Sequence, residues 1–171
     1  MVYSEMPCSH DICALFGTTN RINVCWEWCN VKTEFFVPGK PVGKSRPKFK
    51  KDGHAYTDDQ TKTYEQSVAV CFKAKRGKNA GDAPVSVFMT AFYGIPKSWS
   101  KVKKERAKNG EIVPGKPDAD NVAKAVLDGL NGVAYNDDRQ VKSLLVRKQY
   151  CTDIFTKEGV HVVVLTGEDA K

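Results

Sequence analysis

Residues 117–132 are the segment that most restricts how this chain can fold. A proline and a glycine bound it, and its apolar side chains recur at helical spacing. They form one stripe, made of Val122, Ala123, Val126, Leu127 and Leu130. A short helix with one apolar face is stable only when that face packs against another layer of structure. The pattern predicts a helix that Asp118 or Asp120 caps and that Asn131-Gly132 ends.

The rest of the chain supplies the layer that this helix needs. Strands are predicted at Thr33–Val37, Pro84–Tyr93, Gln140–Tyr150 and Val160–Leu165. Further helices are predicted from residues 57–59 to about 75, and over 95–109. Strands and helices mix without strict alternation, and 171 residues suit one domain. We therefore expect an α+β single domain in which a mixed β-sheet packs with helices.

Charge is distributed unevenly along the chain. The net charge is +7, with 17 basic and 7 acidic residues in 34–110 but 8 basic and 10 acidic residues in 111–171. A basic surface beside an acidic one suits a site that binds a polyanion and a divalent metal, because phosphates attract cations and metals attract carboxylates. A solvated surface with uneven charge remains the alternative.

A basic loop is the first candidate surface for nucleic acid. Residues 38–56 are rich in proline and glycine, and their predicted DNA contacts are Lys44, Arg46, Lys48, Lys50 and Lys51. Phe49 lies among them and either stacks on a base or anchors the loop in the core. A second basic block, residues 97–108, is either a flank for duplex arms or a solvated helix face.

The first 32 residues are expected to be a Cys-rich N-terminal extension, with the folded domain over 33–171. Cys8, His10, Cys13, Cys25 and Cys29 could supply zinc ligands, although their spacings are not those of a C-x2-C knuckle. A loosely packed extension is the alternative. No export signal or membrane-spanning run is found, so we expect reduced thiols, a cytoplasmic location and no membrane partner.

Acidic residues bracket the helix of residues 117–132. Asp118 and Asp120 lie at its start, Asp128 lies within it, and Asp137 and Asp138 follow the next turn. Lys124 follows Asp120 by four residues and so shares its helix face. A turn after the helix could return Asp137 and Asp138 toward the first pair.

Converging carboxylates repel one another unless a cation joins them, and Mg²⁺ needs only one or two protein carboxylates beside phosphate oxygens. The alternative assigns Asp120 to capping, Lys124 and Asp128 to a surface pair, and the later acids to a polar turn. An EF-hand is excluded, because its loop requires Gly at the position of Ala123 and Glu at that of Gly129.

Two stretches carry a resemblance to a known family. The segment KPDADNVAKAVLDGLNGVAYNDDRQV resembles the signature of RusA-type Holliday junction resolvases, endodeoxyribonucleases of phage and prophage origin. The upstream FFVPGKPVGKSRPKF and YTDDQTKTYE resemble that family's first strand, basic loop and first helix. The resemblance runs from about Thr33 to about Leu165.

The resemblance implies which residues act and what they do. Asp118, Asp120 and Asp138 match the family's metal-binding catalytic acids, and Lys124 matches its catalytic lysine. Asp128 and Asp137 match acids with a less certain role. It further implies a Mg²⁺-dependent homodimer that cuts branched DNA with paired, symmetrical nicks in recombination and repair.

Two other classes of function fit parts of the sequence. A non-catalytic nucleic-acid-binding module would use the basic residues alone, and a zinc-assisted interaction protein would use the cysteines. Within the nuclease class, a flap or branch nuclease of broader substrate range stays open, because the motif specifies phosphodiester chemistry more firmly than substrate shape.

Overall fold

The structure is a computed structural model that describes residues 29–44, 48–49, 55–56 and 59–167. Its elements, in chain order, are β1 (Cys29–Pro38), β2 (Lys48–Phe49), β3 (Ala55–Tyr56), α1 (Asp59–Ala74), β4 (Val85–Tyr93), α2 (Lys101–Lys108), α3 (Ala119–Leu130), β5 (Val141–Tyr150) and β6 (Gly159–Gly167). A 3₁₀ turn, Asp138–Gln140, leads directly into β5.

Four of the strands form one mixed sheet in the order β1-β6-β4-β5. The β1–β6 and β6–β4 pairs are antiparallel, whereas β4 and β5 are parallel. A parallel pair needs a long crossover, and the segment that carries α2 and α3 supplies it. The predicted α+β class, with a mixed sheet packed with helices, is confirmed.

The apolar stripe of α3 is buried as its spacing predicts. Val122, Val126 and Leu130 are fully buried in one cluster with residues of α1, β1, β4 and β6. Helix α3 lies very close to α1 at Gly129, where an added Cβ would come 2.7 Å from the Glu65 carbonyl oxygen. Both helices therefore share one face of the sheet, and their positions are coupled.

Some element limits differ from the predictions. Strand β1 begins at Cys29 rather than Thr33, because its ladder with β6 continues to Gly167. Helix α2 begins at Lys101 rather than near Ile95, because the Ser100 hydroxyl accepts a hydrogen bond from the Lys103 amide at 3.4 Å and caps the helix there.

The N-terminal predictions lie outside the described residues. These predictions are the candidate zinc ligands Cys8, His10, Cys13 and Cys25, and the order of residues 1–28. The backbone of Cys29 belongs to β1.

Burial raises the pKa of the half-buried Cys71 and Cys151 thiols, which suits packing rather than reactivity. None of the helices in the described ranges has the length and apolar character needed to cross a membrane.

Candidate active site

Helix α3 presents two carboxylates to solvent at its first turn. Asp118 occupies the N-cap position with extended backbone angles, yet its side chain accepts no capping hydrogen bond. Its carbonyl oxygen accepts the first hydrogen bond of the helix, from the Val122 amide at 3.1 Å. Asp120, two residues on, has 64% of its side chain exposed. Capping therefore does not use the carboxylate of Asp118.

Lys124 lies one turn further along the same face of α3. Its Nζ is 3.5 Å from Oδ2 of Asp120, and 63% of its side chain is exposed. An ion pair so open to water is weak, and both groups stay accessible to a ligand. The predicted grouping of Asp118, Asp120 and Lys124 at one helix start is present in the structure.

The acids after α3 have separate environments. Asp137 caps the 3₁₀ turn and binds the Arg139 guanidinium through both carboxylate oxygens, at 3.0 and 2.8 Å. Hydrogen bonds from the Arg139 side chain and then its backbone amide hold the pKa of Asp137 well below its usual range. Asp138, the next residue, is exposed. Asp137 is thus engaged in holding the turn.

Asp128 belongs to a second ionic group, which we call the Lys44 clamp: Lys44, Glu65 and Asp128. The Lys44 ammonium donates to Glu65 at 2.7 Å and also to Asp128. Partial burial lowers the pKa of Lys44, but hydrogen bonds to Asp128 and Glu65 outweigh it and leave the pKa raised. The clamp joins the start of the basic loop to α1 and α3.

Asp138 does not lie beside Asp118 and Asp120 within the chain. Tyr135 donates its hydroxyl to the Leu127 carbonyl at 2.9 Å, so the turn that leads to Asp138 packs on the C-terminal half of α3. Burial, and then the charges of Asp138 and Asp128, raise the pKa of Tyr135. The described residues contain no group of three His, Cys, Asp or Glu side chains that could hold a metal ion.

The direction of β5 accounts for this separation. Its Lys148 reaches Pro117 at the start of α3, whereas its first residue, Val141, follows the turn of Asp138. Strand residues rise about 3.3 Å each, so Val141 and Lys148 are roughly 23 Å apart. The predicted return of Asp137 and Asp138 to the first pair is therefore not found within one chain.

The basic loop starts beside this site. The Lys44 amide donates to the Asn121 carbonyl at 2.8 Å. Of the other predicted DNA contacts, Lys48 pairs through its backbone with Tyr56 in the short β2–β3 ladder. Arg46, Lys50 and Lys51 lie outside the described residues.

The second basic block is partly neutralised. Arg106 pairs with Glu111 at 2.9 Å, and Lys108 pairs with Asp153 at 2.9 Å. Lys103 lies 4.0 Å from the centroid of the Trp99 ring. Local contacts thus hold several of these cations.

Sequence reasoning missed Lys148 and Glu65. Lys148 Nζ donates to the carbonyl oxygens of Gly115 and Pro117 at 2.6 and 2.7 Å. These contacts span 33 and 31 residues, and the Lys44–Glu65 contact spans 21. An isolated lysine in a strand carries no local signal for such partners.

The donor set at the start of α3 fits a divalent cation of the Mg²⁺ type. Mg²⁺ prefers oxygen ligands and keeps several waters, so it binds with one or two carboxylates and substrate phosphate. Asp118 has a carboxylate that no cap uses, and Asp120 has one open to solvent. These two residues would hold the ion.

Comparison with known protein families places this chain among the nucleases. The family model described as "Endodeoxyribonuclease RusA" matches residues 38–163, a span that contains every predicted catalytic and DNA-binding residue. The chain belongs to the RusA endodeoxyribonuclease family, and the resemblance in the signature segment is confirmed.

A similar protein occurs in Bacillus subtilis (strain 168). It is named "Uncharacterized protein YqaN" and is 38% identical over 123 residues, which cover 68% of this chain and 87% of that protein. The similarity thus extends over most of that protein.

We expect Lys44 and Asp128 to be energetically coupled. Lys44→Met and Asp128→Asn should each destabilise the fold, and the double variant should cost less than the sum by about 0.5 to 1 kcal/mol, because the second change removes an interaction already lost. Urea unfolding of the four proteins measures this coupling. The exposed Lys40 is the control: Lys40→Met should be additive with Asp128→Asn. Additive costs for Lys44 would contradict the clamp.

Proposed function

We propose that this protein is a Mg²⁺-dependent, structure-selective endodeoxyribonuclease that resolves Holliday junctions by paired symmetrical nicks. The observation that carries the proposal is the exposed set of Asp118, Asp120 and Lys124 at the start of α3, within a chain of the RusA endodeoxyribonuclease family. The lack of a capping role for Asp118 favours this assignment over a purely structural one.

The reaction is the hydrolysis of a phosphodiester bond. The oxygen of a water forms a bond to phosphorus, the bond from phosphorus to the 3′ oxygen breaks, and that 3′ oxygen takes a proton. The products are a 5′-phosphate and a 3′-hydroxyl, which a ligase can rejoin. Mg²⁺ held by the carboxylates would supply Lewis acidity toward the phosphoryl group and make water more acidic.

Lys124 places a positive charge next to the carboxylates. Its ammonium is one helical turn from Asp120 and open to solvent, so it can approach a bound phosphate without leaving the helix face. Negative charge develops on the phosphoryl oxygens in the transition state, and a fixed cation stabilises it. Lys124 can also orient the attacking water by donating a hydrogen bond.

Paired nicks need two sites, and a homodimer supplies them. A twofold dimer suits a four-way junction, because each protomer meets an equivalent strand. Asp138 is distant from Asp118 in its own chain, so it would join the carboxylate pair from the other protomer of this dimer. The sparse donor set of a single chain is consistent with that arrangement.

The basic loop is the proposed DNA contact. It follows Lys44, whose backbone amide donates a hydrogen bond to the Asn121 carbonyl next to the carboxylates. Arg46, Lys48, Lys50 and Lys51 follow within seven residues of that point. Phosphates bound by the loop would therefore be close to the start of α3. The Lys44 ammonium is already paired with Glu65 and Asp128 in the clamp, so we do not count it among the phosphate contacts.

Asp120→Asn should abolish cleavage and leave DNA binding intact. The amide keeps the shape of the side chain but removes the charge that a divalent cation requires, so we expect a loss of about 100-fold or more in the cleavage rate. The assay is the nicking of a labelled four-way junction in Mg²⁺ or in EDTA. Asp153→Asn, which changes an exposed acid paired with Lys108, is the matched control and should cleave like wild type.

Other results would reassign the function. Tight junction binding without cleavage in any divalent metal would favour the non-catalytic binding module. Equal cleavage of a junction and a flap would favour the broader branch nuclease. A wild-type cleavage rate for Asp120→Asn would indicate that Asp120 has only a structural role.

The salt dependence of junction binding tests the basic loop. Replacing Arg46, Lys48, Lys50 and Lys51 together with Gln should make the slope of log affinity against log salt shallower by about 3.6 per protomer, because each phosphate contact contributes about 0.9. Lys44→Gln should leave the slope unchanged, because its ammonium is held by Glu65 and Asp128. An unchanged slope in the quadruple variant would exclude the loop as the contact surface.

A further inference from the structure

Lys148 lies on β5 next to the turn that precedes Asp118. It is in register with the buried Ala91 of β4, on the face of the sheet that the helices cover. Its half-buried side chain donates to the carbonyl oxygens of Gly115 and Pro117 at 2.6 and 2.7 Å. An ammonium has three donors, so these two bonds use most of its capacity.

These hydrogen bonds hold the peptide bond that precedes Asp118, the first carboxylate of the site. The carbonyl of Pro117 belongs to the peptide bond with Asp118, so fixing that carbonyl fixes the plane from which Asp118 departs. In the next peptide, the Asp118 carbonyl accepts a hydrogen bond from the Val122 amide at 3.1 Å. Asp118 is therefore held between a strand and a helix.

The turn has little other support from its backbone. In the part of the chain that the structure describes, no backbone-to-backbone hydrogen bond outside the helices and strands involves a group of residues 112–117. Gly43 packs closely against this turn, since a Cβ added to it would lie 2.6 Å from the Pro117 Cβ. Lys148 thus adds two side-chain hydrogen bonds to this turn.

We propose that Lys148 is a positioning residue for the Asp118–Asp120 pair. Its ammonium holds the Gly115–Pro117 turn, so that both carboxylates face a divalent cation and a DNA phosphate from a preset direction. The inference rests on the proposed nuclease function and assigns Lys148 no contact with the reacting atoms. Removal of a residue that orients a metal ligand without contacting the metal commonly lowers metal affinity or activity by about 10- to 100-fold.

The test compares Lys148→Met, Lys148→Arg and wild type, with Lys157→Met as the control for loss of an exposed lysine. Three quantities are measured: hydrogen exchange of amides 112–121 in metal-free protein, the Mg²⁺ concentration for half-maximal junction cleavage, and the junction affinity in EDTA. The thermal unfolding midpoint shows whether each variant is folded. If Lys148→Met does not fold, Lys148→Gln replaces it.

Lys148→Met should exchange faster over 112–121 and require about 10-fold or more Mg²⁺, with junction affinity unchanged. Lys148→Arg should recover part of the Mg²⁺ response, because a guanidinium also donates to carbonyls. Wild-type exchange and a wild-type Mg²⁺ requirement in Lys148→Met would overturn the inference. If wild type cleaves no DNA, the proposed function fails and the catalytic part of this inference with it. Faster exchange in Lys148→Met would still show that Lys148 holds the turn.

Discussion

Burial of the apolar face of α3 against the sheet and α1 is the constraint on which the rest of this structure depends. Val122, Val126 and Leu130 are completely buried, and the Gly129 contact leaves no space for the helix to move toward α1. Because this packing fixes the rotation of α3, it also fixes the side of the helix on which Asp120 and Lys124 lie. Asp120 and Lys124 face solvent as a result of the core, not of any contact they make themselves.

The charged residues around α3 divide into two kinds. Asp128 is held by Lys44, and Asp137 by Arg139, so both carboxylates have fixed cationic partners. Asp118 makes no capping bond, and Asp120 lies 3.5 Å from Lys124 in a pair that is open to solvent. The first kind ties the basic loop and the turn before β5 to the fold. The second kind is accessible to a metal ion and to a phosphate, which is why the proposed chemistry is assigned there.

Local patterns predicted the helices and strands, and the grouping of charged residues at the start of α3, because both depend on nearby residues. The apolar stripe of α3 reports its buried face directly, whereas β4 is buried along nearly its whole length. Longer-range features had no such signal: the parallel pairing of β4 with β5 and the contacts of Lys44 and Lys148 join distant residues. The predicted return of Asp138 was wrong for the single chain, because β5 runs back along α3 and leaves Asp138 at its far end.

Anomalous diffraction from crystals soaked in Mn²⁺ tests directly whether Asp118 and Asp120 bind a divalent cation, because it locates the ion without relying on cleavage. We expect a peak at the carboxylates of Asp118 and Asp120 that is lost in Asp120→Asn crystals. A peak at Asp128 or Asp137 instead, or none at a Mn²⁺ concentration that supports junction cleavage, would contradict this expectation.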